Sequence, residues 1–169
     1  MHIQFSNAGA QAVQLAHCHA SRLGQDNVGT EHLLLAVIEL TDMAERDEVL
    51  RDMVGYFGLT FDRVYAEALR TVGTGSCTGR ARRPETQMLT SVYAEAHELA
   101  LRLGSDFVRP RHLFLALIPA DSQEYERNTT ITACLLFKFG LDFSRARSDA
   151  VSVLKSSEQE RCSLAMSDD

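Results

Sequence analysis

The sequence lacks long apolar runs and any excess of basic residues, and each absence argues against a class of function. Its 169 residues include 17 Lys and Arg against 23 Asp and Glu, a formal net charge of −6. A general nucleic-acid binder usually presents a basic face, so we expect no nucleic-acid partner. No apolar stretch approaches the roughly 18 residues of a membrane span, and the opening MHIQFSNAG lacks the order of a secretory signal. We therefore expect a cytoplasmic protein with no membrane partner.

The cysteines are too scattered to form a recognisable redox or zinc motif. They are Cys18, Cys77, Cys134 and Cys162, with no C-x-x-C pair among them. Disulfides are rare in a reducing cytoplasm, so free thiols are expected. The one basic cluster, residues 80–83, lies beside glycines and Pro84, which favours a solvated linker over a phosphate-binding patch.

Sequence motifs of common enzymes are also missing. The stretch from Gly73 to Gly79 has no lysine, which a nucleotide-binding phosphate loop needs, and it does not fit a G-x-S-x-G elbow. His32 and His112 each fall in the first turn of an apolar helix, where structural hydrogen bonding is favoured over metal binding or catalysis. Residues 17–19, His-Cys-His, point about 100° apart on a helix and do not converge. We expect no enzyme, no cofactor and no metal; a small hydrolase or metal protein that uses the histidines is the alternative from another class.

The sequence does contain an internal repeat with an offset of 80 residues. The stretch NVGTEHLLLAVIE starts at Asn27, and DFVRPRHLFLALIP starts at Asp106. The register also pairs residues 22–24 with 102–104, both Arg-Leu-Gly, and continues after a two-residue insertion, where residues 57–59 match 139–141, both Phe-Gly-Leu. An internal repeat of this length determines the architecture.

Each repeat shows helical periodicity and helix caps, and no stretch alternates in the manner of a β-strand. The predicted helix starts are Ser6, Thr30, Asp47 and Thr60 in the first repeat and Thr86, Pro110 and Asp142 in the second. We expect an all-α fold with four helices in each repeat and short connections, which favour a compact monomer. The predicted segments are repeat 1 (1–72), a flexible linker (73–85), repeat 2 (86–155) and a frayed polar tail (156–169).

The doubled pattern resembles the Clp N-terminal (Clp repeat) domain, the substrate- and adaptor-binding module of Clp ATPases. Residues 29–35, GTEHLLL, match the ClpC-type signature G-T-E-H-[IL]-L-L, and Phe5-Ser6, Leu15-Ala16 and Gly58-Leu59 resemble other family positions. The resemblance extends from Phe5 to about Leu154. It implies a pseudo-twofold pair of four-helix repeats within one compact domain.

The resemblance also implies a non-enzymatic binding module of a Clp ATPase–peptidase system. Because the chain shows no ATPase module, the resemblance implies a free-standing adaptor or decoy that binds marked substrates or ligands of the ATPase's own N-domain. Its expected partners are Clp ATPase or peptidase subunits, adaptors and substrate proteins. The alternative is a structural accessory subunit that docks on the Clp ring or the peptidase.

The family also implies a binding pocket. In ClpC-type domains the acid that matches Glu31 holds the guanidinium of a phosphoarginine, while a hydroxyl at the start of the first helix helps to hold the phosphate. By this resemblance we expect a pocket of Ser6, Thr30 and Glu31, with Thr30 as the N-cap of its helix. The simpler interpretation is that Glu31 is a surface acid at the positive end of a helix.

A second pocket, of Thr86 and Arg111, is degenerate relative to the family. Thr86 keeps the hydroxyl, but Arg111 replaces the acid and would repel a guanidinium, although it could hold a bare phosphate or a carboxylate. Glu85 and His2 replace family phenylalanines, so groove ligands that need those aromatic rings are not expected to bind.

Overall fold

The computed structural model describes residues 3–41, 47–76, 83–120, 123, 126 and 130–165, with side chains described as far as residue 156. Eight helices have bounds within these parts of the chain, residues 123 and 126 are also helical, and none of the described residues forms a β-strand. The helices are α1 (Asn7–Arg22), α2 (Thr30–Thr41), α3 (Glu48–Tyr56), α4 (Phe61–Val72), α5 (Gln87–Arg102), α6 (Pro110–Leu117), α7 (Ile131–Lys138) and α8 (Phe143–Ala165). The predicted all-α fold of two four-helix repeats is confirmed. Within the described ranges, no helix has the length and apolar character needed to cross a bilayer.

Side-chain caps account for several of the helix starts. Ser6 Oγ accepts a hydrogen bond from the Gly9 N–H at 3.0 Å, and Thr86 Oγ1 accepts one from the Leu89 N–H at 3.2 Å. Asp47 caps α3 in the same way. Such bonds satisfy N–H groups that have no partner within the helix, which is why these residue types mark the starts reliably.

The start of α2 differs from the prediction. The Gly29 carbonyl accepts from the Leu33 N–H at 3.4 Å, so Gly29 is the N-cap and Thr30 is the first helical residue. The Gly29 N–H in turn donates to His32 Nδ1 at 2.9 Å. Because a histidine side chain satisfies this backbone group, the helix begins one residue earlier than the hydroxyl pattern suggested.

The core lies between the repeats, where α2 and α6 contact each other. Every residue of α2 from Thr30 to Ile38 is buried, as is every residue of α6. A helix that is apolar on all sides belongs in the interior, with amphipathic helices around it. These two helices therefore join the two repeats.

The repeats also exchange short extended segments just before their helices. Phe5 forms an isolated parallel bridge with Val108, and Val28 forms one with Glu85. The first bridge sets the start of α1 beside the start of α6; the second sets the start of α5 beside the start of α2. The segment before the first helix of each repeat thus pairs with the segment before the second helix of the other repeat.

The predicted linker and tail are both more structured than expected. The Gly75 N–H donates to the Leu23 carbonyl at 2.8 Å, and Arg83 Nε donates to the Gln25 carbonyl at 2.6 Å, so both described ends of segment 73–85 are held against the loop after α1. Residues 77–82 lie outside the described part. At the other end α8 continues to Ala165, past the predicted boundary at Ser156. Once its first turns are packed, a helix propagates at little cost even where its apolar period fades.

Candidate functional site

The structure does not bring Ser6 together with Thr30 and Glu31. Ser6 Oγ lies 3.3 Å from the Val108 carbonyl oxygen, at the start of α6 in the other repeat. Thr86 takes the corresponding place beside α2, because its N–H donates to the Val28 carbonyl at 2.9 Å. The hydroxyl that lies beside the start of α2 is therefore that of Thr86, and the hydroxyl of Ser6 lies beside the start of α6. The reason is the exchange between repeats described above.

Glu31 itself is buried, with a side chain only 8% exposed. Its carboxylate folds back over Gly29, where there is no room for a Cβ atom, and it accepts its own backbone N–H. Burial raises the pKa of the Glu31 carboxyl, while this hydrogen bond lowers it. Glu31 is thus a desolvated acid at a helix N-terminus, which corrects the simpler interpretation of a surface acid.

The neighbouring His32 does not neutralise that acid. Its Nδ1 lies 3.3 Å from Glu31 Oε1 but already accepts the Gly29 N–H, so it carries no proton toward the carboxylate. Burial lowers the pKa of His32 to about 4. A neutral imidazole leaves the Glu31 carboxylate able to receive a cationic group from a ligand.

Glu85, which stands where the family has a phenylalanine, ties the repeats together by polar contacts. Its Oε1 lies 3.2 Å from His17 Nε2 on α1 and accepts from the Tyr93 hydroxyl at 3.3 Å on α5. The Tyr93 ring packs edge-on against Phe5 at 5.7 Å between centroids. Burial and the Glu85 charge both raise the pKa of Tyr93. At the position where the family has an aromatic ring, Glu85 thus makes hydrogen bonds to both repeats.

A groove of about 230 Å³ extends from the start of α2, at Thr30, along α5. Met88, one turn into α5, is 40% exposed. The groove is lined by Thr30, Met88, Ser91, Val92, Glu95, Ala116, Leu117, Ile118, Pro119 and Thr130. Thr30 thus borders the groove next to Glu31, and the wall contains both apolar and polar groups. We call this feature the α5 groove.

The two members of the second predicted pocket, Thr86 and Arg111, lie at different helix starts. Arg111 has no exposed surface, and its guanidinium lies 3.5 Å from the Asp47 carboxylate, which caps α3. Thr86, its predicted companion, lies at the start of α2 and not of α6. Arg111 therefore forms an ion pair that joins the two repeats, and its charge is directed inward, where it cannot hold a free phosphate.

No protein-family model matches the chain. Among curated proteins, ClpC of Staphylococcus epidermidis is 29% identical over 154 residues, which cover 85% of this chain and 16% of ClpC. ClpB of Oceanobacillus iheyensis is 24% identical over 157 residues, or 93% of this chain and 18% of ClpB. The chain thus spans less than a fifth of the length of these relatives.

Solved structures give the fold. The N-terminal domain of ClpD from Arabidopsis thaliana superposes with a TM-score of 0.62 at 22% identity, covering 90% of this chain and 98% of that domain. The chain has the Clp N-terminal domain fold. A ClpV N-domain in complex with a VipB peptide superposes with a TM-score of 0.59 at 18% identity over 92% of this chain and 88% of that one. Both of these structures are N-terminal domains and not ATPase modules.

Within this Clp N-domain fold the matched histidines hold the backbone, as predicted. His112 Nδ1 accepts from the Arg109 N–H at 3.2 Å, as His32 does from Gly29, and burial lowers the pKa of His112 to about 4. His17 and His19 diverge as expected, toward Glu85 and toward Glu39 respectively. Cys18 and Cys134 are free thiols, while the side chains of Cys77 and Cys162 lie outside the described part, as does His2.

Proposed function

We propose that this chain is a protein-binding module of a Clp ATPase–peptidase system and acts as an adaptor or decoy that captures substrate or adaptor proteins. The observation that carries this proposal is the α5 groove, which starts where α2 and α5 begin side by side. A groove that joins an apolar wall to helix N-termini suits an extended peptide with an anionic group. Support also comes from the peptide bound to the ClpV N-domain, which has the same fold.

We further propose that the anionic group is a phosphoarginine. Its guanidinium would pair with the Glu31 carboxylate, since carboxylates bind that planar fork through two charge-assisted hydrogen bonds. Its phosphate would lie at the adjoining starts of α2 and α5, with the Thr86 hydroxyl beside it. Thr30 borders the same site. The pocket proposed is therefore Glu31, Thr30 and Thr86, with Ser6 outside it.

Binding at this pocket would require a local rearrangement. The Glu31 carboxylate, now folded over Gly29 and bonded to its own N–H, has to turn outward to meet a guanidinium. That turn also frees the N–H group for a phosphate oxygen. Because burial raises the pKa of Glu31, affinity for a guanidinium should fall as the pH is lowered and the carboxyl becomes protonated.

Affinity capture with paired variants tests the binding-module proposal. The tagged protein is used to capture proteins from an extract of its own organism, beside Met88→Asp and Leu101→Asp. Both side chains are exposed apolar residues of α5, but only Met88 lines the α5 groove. Adaptors and substrates captured by the wild type should be lost with Met88→Asp and kept with Leu101→Asp. Capture of ring or peptidase subunits, unchanged in both variants, would support the accessory-subunit alternative instead.

A further inference from the structure

A different groove lies between α3 and α8 and has a volume of about 430 Å³. It is lined by Asp52, Met53, Tyr56, Phe57, Asp149, Ala150, Ser152 and Val153. Its floor is apolar, because Met53 and Ala150 are buried, while Tyr56 is 64% exposed and Val153 is 43% exposed. We call it the α3–α8 groove. It shares no lining residue with the α5 groove.

The internal repeat provides a second copy of this interface, between α7 and α4. With the two-residue insertion the offset is 82, so Tyr56 corresponds to Lys138, Asp149 to Glu67 and Val153 to Thr71. In that copy Lys138 Nζ donates to Glu67 Oε1 at 2.7 Å and to Thr71 Oγ1 at 3.4 Å. A lysine from the facing helix thus neutralises the acid.

In the α3–α8 groove the corresponding acid, Asp149, accepts a hydrogen bond from a neutral group instead. The Tyr56 hydroxyl donates to Asp149 Oδ2 at 3.2 Å. Arg145, on the same helix as Asp149, approaches it to 3.7 Å but is 75% exposed. The contact that a lysine ammonium makes in one repeat is therefore replaced in the other by a phenol beside an exposed apolar wall.

The charge around the groove is acidic. A smaller cavity of about 320 Å³ adjoins the groove and shares Tyr56, Phe57 and Asp149 with it. Among the described lining residues of the two, Asp52, Asp142 and Asp149 carry carboxylates and Arg145 carries a guanidinium. A second copy of this chain, with its formal charge of −6, is poorly matched to such a rim. A basic partner is well matched.

We propose that the α3–α8 groove is a docking surface for an amphipathic segment of a partner protein. The segment would place a lysine beside Asp149, as Lys138 lies beside Glu67 in the other repeat, and apolar side chains against Met53, Tyr56 and Val153. The apolar wall provides the contact area and the acidic rim selects the charge. This surface does not depend on any ligand at Glu31.

Fluorescence anisotropy with a designed probe tests this proposal on the full chain. The probe is a labelled 15-residue helical peptide with leucines along one face and lysines flanking that face. A second peptide has every lysine replaced by glutamate. We expect the lysine peptide to bind at one site, with affinity that weakens as salt is raised, and the glutamate peptide not to bind. Equal binding of the two peptides, or no binding of either, would overturn the proposal.

Variants locate the binding to the groove. Tyr56→Lys introduces the lysine of the other repeat and removes the aromatic wall, so affinity for the lysine peptide should fall about tenfold or more. Asp149→Asn removes one rim charge and should weaken binding about two- to fivefold. Phe107→Lys, at an exposed aromatic residue outside the groove, is the matched control and should leave affinity unchanged. Circular dichroism verifies that each variant is folded. The proposal fails if Phe107→Lys weakens binding as much as Tyr56→Lys does, or if the wild type forms dimers that Tyr56→Lys abolishes.

Discussion

The backbone N–H of Thr86 donates a 2.9 Å hydrogen bond to the carbonyl of Val28, fifty-eight residues earlier in the chain. The matching bond in the other half joins the Ser6 N–H to the Val108 carbonyl at 3.0 Å. These bonds set each repeat's first helix beside the second helix of the other repeat. They determine which N-cap hydroxyl lies beside the start of the helix that carries Glu31. The composition of the proposed phosphoarginine pocket follows from that arrangement.

Substitution of Gly9 tests the close approach of the repeats at Ser6. A Cβ at Gly9 would clash with the Val108 carbonyl oxygen, which is backbone and has little freedom to move. We expect Gly9→Ala to lower the free energy of unfolding by about 1–3 kcal/mol, measured by urea denaturation. Gly55→Ala is the control, because a Cβ in that helix meets nothing within 4 Å. It should stabilise the protein by about 0.5–1 kcal/mol. Stabilisation by both variants would show that the approach at Val108 is not close.

Arg111 should contribute to stability and not to ligand binding. Its guanidinium is fully buried and paired with Asp47, so Arg111→Ala leaves a cavity and removes a buried charge partner. We expect a loss of about 3 kcal/mol in the free energy of unfolding. Arg111→Glu should be at least as destabilising, because it sets a second carboxylate beside Asp47. A stable Arg111→Glu protein that gained a second phosphoarginine site would contradict this role.

Stability should fall as the pH is lowered from about 6.5 toward 4. The pKa values of His32 and His112 lie at about 4 in the folded protein, against 6.5 for an ordinary histidine, because burial disfavours the charged form. The unfolded chain therefore takes up protons first, and each histidine contributes a slope of up to about 1.4 kcal/mol per pH unit. The lowered pKa of His19 acts in the same direction. The raised pKa of Glu31 opposes the trend only where that carboxyl becomes protonated.

Urea denaturation at pH 7, 6, 5 and 4.5 measures this slope. His32→Gln removes one titrating group, so its stability should depend on pH less steeply than that of the wild type. A wild-type stability that stays constant between pH 6.5 and 4.5 would mean that the histidines are solvated or paired with acids when protonated.

The helices could be predicted from the sequence because their caps and periods are local. Ser6, Asp47 and Thr86 cap helices where the hydroxyl and carboxylate pattern indicated, and the repeat of 80 residues gave the doubled architecture. The composition of the site could not be predicted in the same way. An offset of 80 is satisfied equally whether Glu31 lies with Ser6 or with Thr86, so only the three-dimensional exchange of segments distinguishes them.

The structural role of Arg111 could not be predicted from the sequence for a related reason. The resemblance assigns it to a pocket, although a single arginine in a helix that is apolar apart from His112 is itself a signal of a buried ion pair. Its partner, Asp47, belongs to the other repeat and has no fixed sequence relation to it. Contacts between the two repeats produce no periodic pattern in the sequence.

Calorimetric titration with free phosphoarginine tests the proposed pocket most directly. Ser6→Ala and Thr86→Ala form a matched pair, since each removes an N-cap hydroxyl and each should cost about 1 kcal/mol of stability. The proposed pocket predicts one site per chain in the wild type, weakened about tenfold or more by Glu31→Gln and about three- to tenfold by Thr86→Ala. Ser6→Ala should leave affinity unchanged. Absence of binding, two equal sites in the wild type, or a loss in Ser6→Ala as large as that in Thr86→Ala would contradict it.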